Sequence, residues 1–105
     1  MRTFVPDCKF EPGQIVHHTK YGYRGVIYDV DECCQADDEW YLSNKSQPRR
    51  DQPWYHVLVD GEQDTTYVAE ENLERDEVPE PVQHPMLDDY FIRYEAGKYM
   101  RQLDA

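Results

Sequence analysis

The sequence predicts a mainly β domain, a small SH3-like bent barrel of four to five strands with a short C-terminal helix. Three observations carry this expectation. Short apolar runs alternate with polar positions at a period of two, as half-buried strands do. Gly22 and Gly25 mark a bend or bulge between such runs, and Asp60-Gly61 opens a hairpin turn. No strand–helix–strand spacing is present, and the order strand, long loop, hairpin suits an SH3-like barrel. At 105 residues, 39% hydrophobic and 13% aromatic, the chain has material for one core and not two.

Each element has its own signal. Residues 1–12 read as an N-terminal extension, residues 13–78 as the barrel, and residues 79–105 as an acidic, proline-containing C-terminal segment. Gly13–His18 forms a short strand after a Pro-Gly turn. In the next run, Tyr21–Asp31, the positions Val26, Tyr28 and Val30 share one face, and Ile27, Asp29 and Asp31 the other. Residues 32–53 break the alternation and read as a long loop, of the kind that often carries function. Trp40-Tyr41-Leu42 is its apolar island, expected to dock the loop on the core. Trp54–Val59 is a second clear strand, and Thr65–Ala69 its hairpin return. "AEENL" suggests one helical turn that brings Leu73 back to the core. "RDEVPEPVQHP" is expected to be extended and exposed. After Pro85, the spacing of Leu87, Phe91 and Tyr94 predicts a short packing helix stopped at Gly97.

Charge is the strongest bulk property. The chain carries 11 basic and 22 acidic side chains, a net of -11. Residues 1–59 hold seven of the basic and nine of the acidic ones, so residues 60–105 carry most of the negative charge. A polyanion would be repelled by the second half, and any nucleic-acid contact must use the first. No apolar run has the length of a signal peptide core or a membrane span, which makes the cytosol the default expectation. Cys8, Cys33 and Cys34 are an odd number, two of them adjacent, and fit reduced thiols better than a disulfide framework.

Three motifs in order, "GQIVHHTKYGYRGVIYDVD", "QPWYHVLVDG" and "TYVAEENLE", resemble the YccV-like, hemimethylated-DNA-binding domain family. The bacterial heat-shock protein HspQ belongs to that family, and the same domain type occurs at the C-terminus of an F-box protein. "HPMLDDYF" followed by "YEAGKYM" looks more like the longer F-box form. The resemblance covers residues 10–75 well and the tail loosely. It implies an SH3-like barrel without catalytic machinery and with no cofactor. It also implies two functions: hemimethylated-DNA binding, or protein contact as an adaptor in stress-linked proteolysis by an ATP-dependent protease.

Weighing the chemistry-bearing residues gives no catalytic centre. His56 lies mid-strand between Tyr55 and Val57 and reads as a packed, hydrogen-bonded histidine. Cys33 and Cys34 sit among five carboxylates, which disfavour a thiolate, and neither Ser43 nor Ser46 has a nucleophile-elbow context. His17-His18 and Cys33-Cys34 are adjacent pairs whose side chains point to opposite faces, unlike zinc ligand spacing. For DNA the candidates are Lys20 and Arg24 flanking Tyr21-Gly22-Tyr23, with Lys45, Arg49 and Arg50 from the long loop; with so acidic a chain, such binding is expected to be weak and salt-sensitive. For protein contact with a protease or its clients the candidates are Trp40, Tyr41, Leu42, Tyr94 and Tyr99. The leading expectation is a non-enzymatic binding module that works through protein contacts, with direct reading of hemimethylated DNA as the alternative.

Overall fold

Strand β1 (Ile15–His18) turns back on itself through Thr19–Gly22 into β2 (Arg24–Asp31), where His18 N–H donates to the Tyr23 carbonyl at 2.8 Å and Gly22 N–H to the His18 carbonyl at 2.9 Å. The structure is a computed structural model that describes residues 8–78 and 80–101. β3 (Trp54–Val59) and β4 (Thr65–Ala69) form the expected hairpin, and a 3-10 turn over Glu70–Asn72 leads into β5 (Leu73–Arg75). All pairings are antiparallel, in the order β4-β3-β2-β1-β5. This is the small bent β fold expected from the sequence, with its hydrogen-bonded ladder left open between β4 and β5.

Both faces of the central strands are covered. Val16, Ile27, Tyr55, Val57, Val68 and Leu73 form one buried cluster. Ile15, Val26 and Leu58, their neighbours along the same strands, form another with Val82, Phe91 and Tyr99. A register shift between Ile27 and Asp29 disturbs the simple alternation of β2. Tyr28 stays with Val26, but Val30 packs with the Ile27 cluster rather than with Val26 and Tyr28 as its spacing suggested. One inserted residue is enough to move every later side chain to the other face.

Three local expectations are corrected. The long loop contains a helix, α1 (Asp38–Ser43), which begins where the Asp37 carboxylate accepts the Trp40 N–H at 2.9 Å. The proline-rich segment is not wholly exposed, because Val82 and His84 are buried. The Val82 backbone is held by the Tyr99 hydroxyl, which accepts from its N–H at 2.9 Å and donates to its carbonyl at 3.1 Å. The C-terminal helix α2 is a single turn, Leu87–Tyr90, and the chain continues as a hairpin of β6 (Arg93–Glu95) and β7 (Lys98–Met100). Gly97 is therefore a hairpin turn rather than a helix stop. Ala96 and Gly97 both have positive φ, 53° and 83°, as a tight two-residue turn requires. Leu87, Phe91 and Tyr94 do pack on the same cluster, but from one helical turn, the extended residue that ends it and a strand.

Gly13 joins this hairpin to the sheet. Its carbonyl accepts the Tyr99 N–H at 2.9 Å, its φ is 99°, and a Cβ there would collide with the Tyr99 carbonyl. Among the described residues no helix is long and apolar enough to cross a membrane.

Candidate functional site

The open seam beside β4 is a groove of about 520 Å³. Its floor is β4 itself with Trp54 and His56 from β3. One wall is the β1–β2 turn, with His18, Tyr21 and Tyr23, and the other is α1 and the chain after it, with Trp40 and Lys45. Three segments remote in sequence therefore meet at one place.

The turn wall is built on His18. Its side chain is buried, and Nδ1 accepts the N–H groups of Lys20 and Tyr21, both at 3.1 Å. Burial, reinforced by the charge on Lys20, holds the His18 pKa below the ordinary histidine value. An imidazole that must accept at Nδ1 is kept neutral by this arrangement. Tyr21 stacks on it at 4.6 Å between ring centroids and is 63% exposed. Tyr23 is half-buried and its hydroxyl shares a hydrogen bond with Thr66 at 2.7 Å, tying the turn to β4 across the seam.

The opposite wall rests on stacked aromatics. Trp40 lies 5.6 Å from Tyr67 and 6.1 Å from Trp54, and Tyr41 packs on Trp54 while its hydroxyl donates to the Pro48 carbonyl at 2.7 Å. From Tyr67 the ring contacts continue through His56 at 4.5 Å and Tyr28 to Tyr90, a continuous aromatic ribbon across the sheet. One carboxylate organises its centre: Asp31 accepts from the Tyr67 hydroxyl at 2.7 Å and lies 3.1 Å from His56 Nε2. Burial first, then this bond to an anion, raises the Tyr67 phenol above its usual range, so it remains a donor at neutral pH.

The cations expected to face phosphate are distributed differently. Arg24 is mostly buried and makes an ion pair with Asp76 at 2.5 Å and with Asp60 at 2.9 Å. It also donates to the Val78 and Glu80 carbonyls. Arg49 pairs with Asp51 at 2.8 Å, and Arg50 with Asp38 at 3.3 Å while it lies over the Tyr41 ring at 4.8 Å. Lys45 borders the groove, and Lys20 is exposed next to Tyr21. Of the residues read for protein contact, Trp40 and Leu42 are exposed and Tyr41 is half-buried on α1. Tyr94 is half-buried away from the groove, and Tyr99, read as an anchor, is a buried core residue.

Sequence reasoning weighed His18 only as a metal ligand and did not name Trp54, Tyr67 or β4 as parts of a binding site. The pairing His56↔Tyr67 was accessible from the hairpin, since its short loop fixes which residues sit opposite. Among the described residues no three His, Cys, Asp or Glu side chains converge as metal ligands would. Cys8, Cys33 and Cys34 form no disulfide with one another.

Residues 8–98 match the family described as hemimethylated DNA-binding protein YccV like. The chain is 35% identical over 97 residues to F-box only protein 21 of Pongo abelii and to that of Homo sapiens, and 34% identical to that of Mus musculus. Each alignment covers 90% of this chain but only 15–16% of the relative, so the chain spans about a sixth of their length. No solved structure matches it.

Proposed function

We propose, because the chain belongs to the YccV-like hemimethylated-DNA-binding family, that it is a non-enzymatic binding module and that its groove receives protein segments. One observation carries the choice of protein over DNA. Three of the five front-half cations available for phosphate, Arg24, Arg49 and Arg50, are engaged by carboxylates of the same chain. A phosphate would have to displace those carboxylates in a molecule of net charge -11. The groove, in contrast, offers exposed Tyr21 and Trp40 above a floor of rings, and aromatic side chains dominate protein-binding hot spots. In this reading the domain acts as an adaptor, presenting a client to the machinery of stress-linked proteolysis, an ATP-dependent protease among it. The F-box relatives are in keeping with protein contact.

A second reading, direct recognition of hemimethylated DNA, is favoured by the family's description and by Lys45, Tyr21 and Tyr23 sharing one groove. Fluorescence anisotropy with hemimethylated, fully methylated and unmethylated duplexes, at low and near-physiological salt, separates the two. The expected outcome is equal, weak binding that disappears as salt rises. A preference for the hemimethylated duplex that persists at the higher salt would reverse the ranking.

A further inference from the structure

β4 is an edge strand, paired among the described strands with β3 alone. At the two ends of that ladder Val59 N–H donates to the Asp64 carbonyl at 3.2 Å and Glu70 N–H to the Pro53 carbonyl at 2.9 Å. With the register Val57↔Thr66 and Tyr55↔Val68, antiparallel alternation turns the backbone groups of Thr66 and Val68 toward β3. Those of Thr65, Tyr67 and Ala69 point the other way, and no described residue forms a hydrogen bond to them. All three residues border the groove.

We infer that an extended polypeptide segment with basic flanks adds to β4 as a further strand inside the groove; the inference rests on the protein-binding reading of this site. A row of outward N–H and C=O groups is complemented by another extended backbone, which supplies acceptors and donors at the same repeat. From Thr65 to Ala69 the open edge runs about 13 Å at strand rise. Charge selects the flanks. Glu62 and Asp64 precede β4 and Glu71 follows it, so carboxylates stand at both ends of the edge, while the Glu70 carboxylate is held by the Tyr55 hydroxyl and the Lys9 N–H. Side chains of the added strand alternate between the two faces of the sheet. One face is marked by Tyr67 against Trp40, the other by Thr66 against Tyr23.

The test uses the whole 105-residue chain. Decapeptides with two lysines at each end and a randomised centre are selected on it, and the strongest binder is titrated by fluorescence anisotropy. Two versions of that peptide, N-methylated on alternate residues in either register, are titrated beside it. The expected result is an affinity loss of about tenfold or more in one register only, with slowed amide exchange at Tyr67 and Ala69 on binding. Equal affinity for all three peptides overturns strand addition and leaves the protein-binding reading standing. A pool from which nothing is retained overturns both. Thr65→Pro gives an independent measure. Its N–H faces away from β3, so proline there spares the β3–β4 ladder, and the variant is expected to keep its thermal midpoint while losing peptide affinity. Unchanged peptide affinity in that variant counts against the proposal. Self-association of the chain through β4 in sedimentation would make a second copy the occupant and overturn it. A DNA duplex that displaces the peptide would do the same.

Discussion

Arg24 shows how one residue's role is decided by what surrounds it. On the sequence it is a cation beside two tyrosines; in the fold its guanidinium is the hub that fastens Asp60, Asp76 and the carbonyls of Val78 and Glu80 together. Asp76 is well buried as a side chain, so its charge depends on that partner. Burial opposes its ionisation, but the Val78 N–H and the Arg24 guanidinium overcome this and hold its pKa below the ordinary value of 3.8. Arg24→Met is expected to lower stability by about 2–3 kcal/mol in urea unfolding, because it leaves a buried carboxylate unpaired. The sign of the pH effect follows from the depressed pKa. The stabilisation is fully present above 3.8 and is lost as pH falls through the folded-state value. The variant, which lacks the pairing, should therefore show a shallower acid-induced loss than the parent below that pH. Identical acid profiles would mean that Asp76 owes its low pKa to the backbone alone.

At the scale of elements, α1 is held by a cap and by ring contacts, and the two can be separated. Six residues are too few for a helix to persist alone in water. Asp37→Ala removes the acceptor for the Trp40 N–H and is expected to cost about 1 kcal/mol, with a red shift in tryptophan emission as Trp40 leaves Tyr67 and Trp54. Unchanged emission would show that the rings alone keep α1 in place. The strands β2, β3 and β4 were legible because each is long enough to display its period, and Asp60-Gly61 marks the turn between the last two. β5, with three residues, shows no period at all. The spacing Leu87, Phe91, Tyr94 fits a helix, yet Phe91 is already extended and Ile92 N–H donates to the Met100 carbonyl, a contact no local pattern announces. The groove was illegible for the same reason. Its walls come from segments far apart in sequence, the β1–β2 turn and α1, and Arg24, read beside that turn as a phosphate contact, is instead drawn away to Asp76 across 52 positions.

For the whole molecule, the C-terminal segment decides whether the sheet is a folded unit. Ile15, Val26 and Leu58 are at most 5% exposed, and what covers them is Val82, Phe91 and Tyr99. Gly61 N–H donates to the Gln83 carbonyl, Gln83 N–H to the Asp60 carboxylate, and Lys98 bridges to Gln14, so the segment is sewn to β1 and to the β3–β4 turn along its length. A chain ending at residue 78 would expose the Ile15, Val26 and Leu58 side chains to water. Each such side chain is worth about 1.5–3 kcal/mol when buried, and small domains have only about 5–15 kcal/mol in total. The loss of Arg24's carbonyl partner at Glu80 adds to this. The truncated chain is therefore expected to lack a cooperative urea transition and dispersed amide resonances. Phe91→Ala in the intact chain offers the graded version, with an expected loss of about 3–5 kcal/mol. If the truncated chain instead melts cooperatively, the cluster around Tyr55, Val57 and Val68 suffices alone. The segment after Arg24's carboxylate partners would then be a cover whose removal leaves the groove intact, since none of the described residues bordering that groove lies beyond Asn72.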